Sequence, residues 1–119
     1  MDAWIHPSHS WPKPNSSESG AAIQNIPFDG PGVIRVVISS HSEVARHYHH
    51  YSHSFVYVLE GDGVVFLNGK EHPIKQGDIL YYPPKEVHGF KAGPKDLILL
   101  AVENPANTRP DGSRDTVFV

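Results

Sequence analysis

Phe55-Val56-Tyr57-Val58-Leu59-Glu60-Gly61-Asp62-Gly63-Val64-Val65-Phe66-Leu67-Asn68-Gly69 is the stretch on which the fold turns. Its two apolar runs are dense in β-branched and aromatic residues, which suit a pleated, half-buried surface. Glu60 to Gly63 reads as a tight turn between them. Asn68-Gly69 is a two-residue hairpin signal, because a type I′ turn needs positive φ at both central positions. Residues 71–74 then form the short return strand, and Lys75-Gln76-Gly77-Asp78 turns the chain again. Further strands are predicted over 33–38, 45–49, 79–82, 87–91 and 97–102, with Pro83-Pro84 stopping the third of these. No apolar 3.6-residue period of helical length appears, so the chain is all-β. Short, evenly spaced strands with Gly, Pro and Asn turns predict a sandwich or barrel. A barrel of this size encloses room for one small ligand.

The 119 residues make one domain, long enough to bury a core without staples. Cysteine is absent, which excludes thiolate metal sites, thiol nucleophiles and disulfides. Ten basic and 13 acidic residues give a net charge of −3, with no basic stripe, so no nucleic-acid partner is expected. No apolar run approaches the roughly 20 residues needed to span a bilayer. The first residues lack the charged and apolar regions of a secretion signal, and a cytoplasmic, soluble protein is expected. Residues 1–28 read as an N-terminal arm, irregular over about the first 20 residues, where Pro7, Pro12 and Pro14 forbid a regular helix. Trp4 and Trp11 are candidate anchors for it, and His6 and His9 read as part of a polar tail. Residues 29–119 form the barrel domain.

Four histidines fall within residues 47–53, in His47-Tyr48-His49-His50-Tyr51-Ser52-His53, and His88 follows Pro83-Pro84-Lys85-Glu86-Val87. On a strand, alternate side chains share a face, so His47 and His49 can grip one ion while His88 closes the site from a neighbouring strand. The plain alternative is a solvated polar turn. Buried in an apolar barrel with nothing bound, each imidazole would need a hydrogen-bond partner or cost roughly 1–3 kcal/mol.

These residues carry a resemblance to the cupin superfamily. His47 and His49 match the His-x-His of its first motif, and residues 55–61 (FVYVLEG) match the strand and turn that follow. Gly77, Pro83 and His88 match the second motif. The resemblance covers residues 33–102 and implies a double-stranded β-helix, the cupin or jelly-roll barrel, with a mononuclear metal in one mouth. It departs from the pattern at three places: Ser54 stands where the usual glutamate ligand would be, Lys85 replaces a glycine, and Ala92 replaces an asparagine.

Two readings of the fourth ligand position stay open. A small bulge would turn His53 inward, making a site of His47, His49, His53 and His88. Strand parity instead puts Ser54, Val56 and Val58 inside and His53, Phe55, Tyr57 and Leu59 outside. His50 is expected at the surface or the rim, and His41 and His72 in solvent. All-nitrogen ligation suits one divalent transition metal per chain (Fe, Ni, Cu or Zn), and three ligands leave open positions. A barrel that has lost its metal is the alternative. Val56, Val58 and Phe90 are expected to line the cavity. Tyr81, Tyr82 and Ser54 are the candidate catalytic groups, one of the two tyrosines having to face in. Glu86, Tyr48 and Tyr51 are placed near the rim.

Two function classes follow. One is a metal-dependent enzyme on a small organic molecule, which the resemblance frames as dioxygenase-like, or as an isomerase, cyclase or lyase. The other is a non-catalytic cupin that binds or senses a sugar or metabolite. The apolar face of Phe55, Tyr57 and Leu59 calls for a cover, so a homodimer is expected, with the arm exchanged between subunits.

Overall fold

The computed structural model describes residues 3, 5–7, 15–16, 21–26, 30–108, 111 and 113–119. Trp4, Trp11, His9, Pro12, Pro14 and Pro27 lie outside them. The described residues form β1 (Asn15–Ser16), β2 (Ala21–Asn25), β3 (Gly32–Ile38), β4 (Glu43–Tyr48), β5 (His53–Glu60) and β6 (Asp62–Leu67). They continue as β7 (Lys70–Lys75), β8 (Ile79–Tyr82), β9 (His88–Ala92), β10 (Leu97–Asn104) and β11 (Val117–Phe118), with no helix among them. A six-stranded sheet runs β1-β2-β3-β10-β5-β8 and a five-stranded sheet runs β11-β4-β9-β6-β7. From β3 onward the chain passes back and forth between the two, which is the winding of a double-stranded β-helix.

Alternation builds the core. In β5, Ser54, Val56 and Val58 are buried while His53, Phe55 and Tyr57 are exposed. In β10, Leu97, Leu99, Ala101 and Glu103 are buried. The strands lie side by side with Val58 opposite Leu99, Val56 opposite Ala101 and Ser54 opposite Glu103. Val65, Ile74, Phe90 and Ala92 close the core from the second sheet. Each fully buried Val or Leu side chain contributes roughly 1.5–3 kcal/mol to this packing.

The turns follow their residues. Asn68 (φ 54°) and Gly69 (φ 77°) make the expected two-residue hairpin, with Leu67 paired to Lys70. Gly61 (φ 84°) has no alternative, since a Cβ there would sit 2.3 Å from the Asp96 carbonyl oxygen. Lys85 also sits at positive φ (70°), where the motif has glycine. That conformation costs a residue with a Cβ roughly 1–2 kcal/mol. The Lys85 N–H offsets part of it by donating to the His49 carbonyl at 2.7 Å, which ties the loop before His88 to the chain that carries His49.

Within the 1–28 segment, residues 21–25 form a strand: β2 pairs with β3, and Ala21 and Ile23 join the core. Beyond the last predicted strand (97–102), the tail contributes the final residues of β10 and the whole of β11, whose Phe118 pairs with His47.

Candidate metal centre

One ring nitrogen each from His47, His49 and His88 lies within 4.8 Å of the other two, and all three residues are buried. His47 and His88 are register partners on β4 and β9. Their ring centroids are 4.2 Å apart, and His49 lies 5.1 Å and 5.0 Å from them. Reaching this arrangement takes a bulge. Val44 pairs with Phe90 but His47, not Arg46, pairs with His88, so β4 carries one extra residue just before its histidines. Without it, parity from the inward Val44 would have aimed His47 outward.

Backbone carbonyls hold each ring. Nδ1 of His47 donates to the Ala45 oxygen at 2.7 Å, and Nδ1 of His88 to the Glu86 oxygen at 2.9 Å. Nδ1 of His49 donates to the Asp115 oxygen at 2.6 Å. A carbonyl only accepts, so in each ring Nδ1 carries the proton and Nε2 keeps its lone pair. Burial holds the imidazoles neutral: it lowers His47 to about 4 and His88 to about 2, and lowers His49 as well, against the opposing pull of those carbonyls. Three neutral, oriented, buried imidazoles fit a transition-metal ion, and this group could hold one.

Asp115 anchors the tail to the histidine segment. Its carboxylate accepts from the backbone N–H groups of His50 and Tyr51, each at 3.0 Å, and pairs with the His50 ring at 3.0 Å. Burial raises its pKa, but these bonds together outweigh burial and hold it below the ordinary range. Asn107 reaches Nε2 of His49 with its side-chain amide at 3.3 Å, and Ser52 holds Asn107 from the other side. None of these tail contacts had a local sequence signal.

A cavity of about 370 Å³ opens beside the rings, lined by the three histidines, Tyr82, Glu103, Asn107, Arg114 and Thr116 at its polar end. Ile23, Ile34, Val36, Val56, Phe90 and Leu99 form apolar wall. Volume and lining are those of a small-molecule site. Tyr82 stacks on His88 with ring centroids 4.0 Å apart. Burial raises its phenol above the ordinary range, with the Ser54 hydroxyl beside it pulling the other way.

Several predicted residues lie elsewhere. His53 is exposed on the outer face of β5, where Nδ1 meets the Tyr81 hydroxyl at 2.7 Å. It does not join the three-histidine group, because β5 alternates strictly from His53 to Val58 and its own irregularity comes only later, at Leu59. Tyr81 is on that outer face too, leaving Tyr82 as the inward tyrosine. Ser54 is buried beneath the site without forming cavity wall. Val56 and Phe90 line the cavity, whereas Val58, with no exposed surface, sits deeper in the packed core. His50 is at the surface as expected, and His41 is exposed. His72 is half-buried, with Nε2 3.1 Å from the Leu67 carbonyl oxygen.

Comparison with known proteins gives the same picture. A family model described as Cupin domain matches residues 34–103. The oxalate-binding protein of Thermotoga maritima is 38% identical over 69 residues, 57% of this chain and 57% of that protein. A Thermotoga maritima crystal structure described as a predicted oxalate decarboxylase superposes with a TM-score of 0.76 at 25% identity, covering 84% of this chain and 97% of that one. An RmlC-like cupin from Shewanella frigidimarina also superposes at 0.76, over 92% and 96% of the two chains. At 22% identity that likeness shows the fold alone.

Proposed function

This chain belongs to the cupin family, and from that premise we propose that it is a mononuclear metal-dependent enzyme acting on a small organic molecule inside the barrel. His47, His49 and His88 hold one divalent transition ion, Fe, Ni, Cu or Zn. The observation that carries this is the convergence of three buried imidazoles whose Nδ1 atoms are all bound to backbone carbonyls, which turns three Nε2 atoms toward one point, the one on His49 shared only with the Asn107 amide at 3.3 Å that an ion would displace. A bound ion supplies Lewis acidity that polarises a substrate oxygen. Around it the chain's own groups orient the substrate: Arg114 offers a cation at the mouth, Asn107 and Thr116 offer hydrogen bonds, and the apolar wall excludes water. The all-nitrogen ligands and that wall favour dioxygenase-like chemistry, with isomerase, cyclase or lyase chemistry as the other arms of the test.

A second reading, binding of a small ligand without turnover, is favoured by the likeness to an oxalate-binding protein. Elemental analysis of protein purified without an affinity tag, followed by oxygen-uptake and lyase or isomerase screens, separates the two. Turnover that needs the metal supports the enzyme, and tight ligand binding with no turnover across the screens supports the second reading. Loss of the metal in His49→Ala with substrate or ligand affinity unchanged would overturn the role given to the ion.

The outer face of β5 and β8 supports a homodimer. Phe55, Tyr57, Ile79 and Tyr81 are 54%, 41%, 71% and 46% exposed there, and β8 is the edge of its sheet. An apolar face at an open edge suits a second copy of the chain. A monomeric mass by light scattering would exclude it.

A further inference from the structure

Position 54 is where the first cupin motif carries its carboxylate, and this chain has serine there. Directly across the ladder from Ser54, on the neighbouring strand β10, stands Glu103. Register partners point to the same face, so both side chains turn inward, and Glu103 is buried with 5% of its surface exposed. It lines the same cavity as the three histidines and, among the described residues, is the one acidic group in that wall. Asp115, the other buried acid near the rings, is already committed to His50 and Tyr51. No hydrogen bond or ion pair within the described residues engages the Glu103 carboxyl. A buried acid without a protein partner is costly to keep unless something in the cavity answers it.

We propose that Glu103 supplies, from the adjacent strand, the negative charge that the first motif omits at Ser54, and balances a dication held by His47, His49 and His88. It does so across the cavity and not as a ligand in this conformation, since its oxygens are not part of the three-nitrogen group. Three neutral imidazoles bring a 2+ ion no compensating charge, and Arg114 adds a further positive charge in the cavity wall. In a wall of low polarizability one carboxylate on the facing sheet lowers the cost of admitting the ion. This inference rests on the metal reading above and deepens it. Burial agrees with it, raising the metal-free carboxyl to about 7 against the pull of Arg114, as befits an acid waiting for a cation.

The test is Zn²⁺ affinity, measured by competition with a chromophoric chelator, for wild type, Glu103→Gln, Glu103→Asp and His49→Ala. Removing an outer partner of a metal site costs about 10–100-fold in affinity, so Glu103→Gln should bind at least about tenfold more weakly. Glu103→Asp, which keeps the charge, should lie nearer to wild type than to Glu103→Gln. Unchanged affinity in Glu103→Gln, or equal losses in the Gln and Asp variants, overturns the proposal. If His49→Ala loses Zn²⁺ while Glu103→Gln keeps it, this inference alone fails. If wild type takes up no Zn²⁺, the metal reading fails and carries the inference with it.

Discussion

The two sheets treat their polar residues in opposite ways where they face each other across the cavity. On the β4–β9 side every imidazole is pinned, each Nδ1 bonded to a carbonyl of its own strand, of its own loop or of the tail. On the β8-β5-β10 side Tyr82, Ser54 and Glu103 lie in one row across three neighbouring strands, and among the described residues no hydrogen bond or ion pair anchors the acid. The first arrangement fixes lone pairs in space before anything binds. The second leaves a charge-bearing group free to answer whatever enters. Preorganisation and responsiveness are divided between the two walls of one barrel.

The hardest blow to the pinned side is His88→Ala. It removes one of the three candidate ligands and the ring on which Tyr82 stacks, so the one ion per chain proposed for the wild type should fall to near none by elemental analysis. Retention of a full equivalent would break the comparison.

Next in size is the response of the metal-free protein to pH, which should resolve the two walls. His47 titrates at about 4 in the fold against 6.5 unfolded, and His88 lower still. Their contribution is complete above pH 6.5 and is lost as pH falls towards 4, by about 3 kcal/mol for His47 alone. Glu103 runs the other way. Its raised pKa makes its contribution complete below about 4.5 and lost as pH rises through 7. Chemical denaturation across this range should show both limbs, and Glu103→Gln should flatten only the alkaline one.

A subtler probe loosens one pin without touching a ligand. Asp115→Ala frees the tail from the backbone of His50 and Tyr51, and with it the carbonyl that orients His49. The lost charge-assisted bonds should cost about 1.5–3 kcal/mol of stability, and metal affinity should drop about 10–100-fold. Full affinity in a destabilised variant would mean that His49 needs no such support. Smallest of all is His53→Ala, which touches neither wall. Chelator competition should read the same metal affinity as wild type, and a clear loss would return His53 to the ligand set.

Much of this was legible in the chain. β-branched runs, the Asn68-Gly69 turn and the alternation over residues 53–59 are local signals, and local backbone sterics and burial enforce them. His47, His49 and His88 could be paired from their spacing because a strand has a period of two. Choosing between His53 and Ser54 inward needed only that parity, because the irregularity in β5 falls at its far end, at Leu59, beyond the alternating stretch from His53 to Val58. The bulge in β4 lies before His47, where parity counted from Val44 would have misled.

The remaining parts of the site join residues far apart in sequence. Asp115 meets His49 and His50 from the tail 65–66 positions away, and Glu103 comes beside Ser54 through the pairing of β10 with β5. Strand identity is written in short-range side-chain preferences, so the chain alone sufficed for a barrel with histidines in its mouth. Which acid faces them, and which carbonyl steadies each ring, depends on cross-strand register, and register is set by the closed packing of both sheets together.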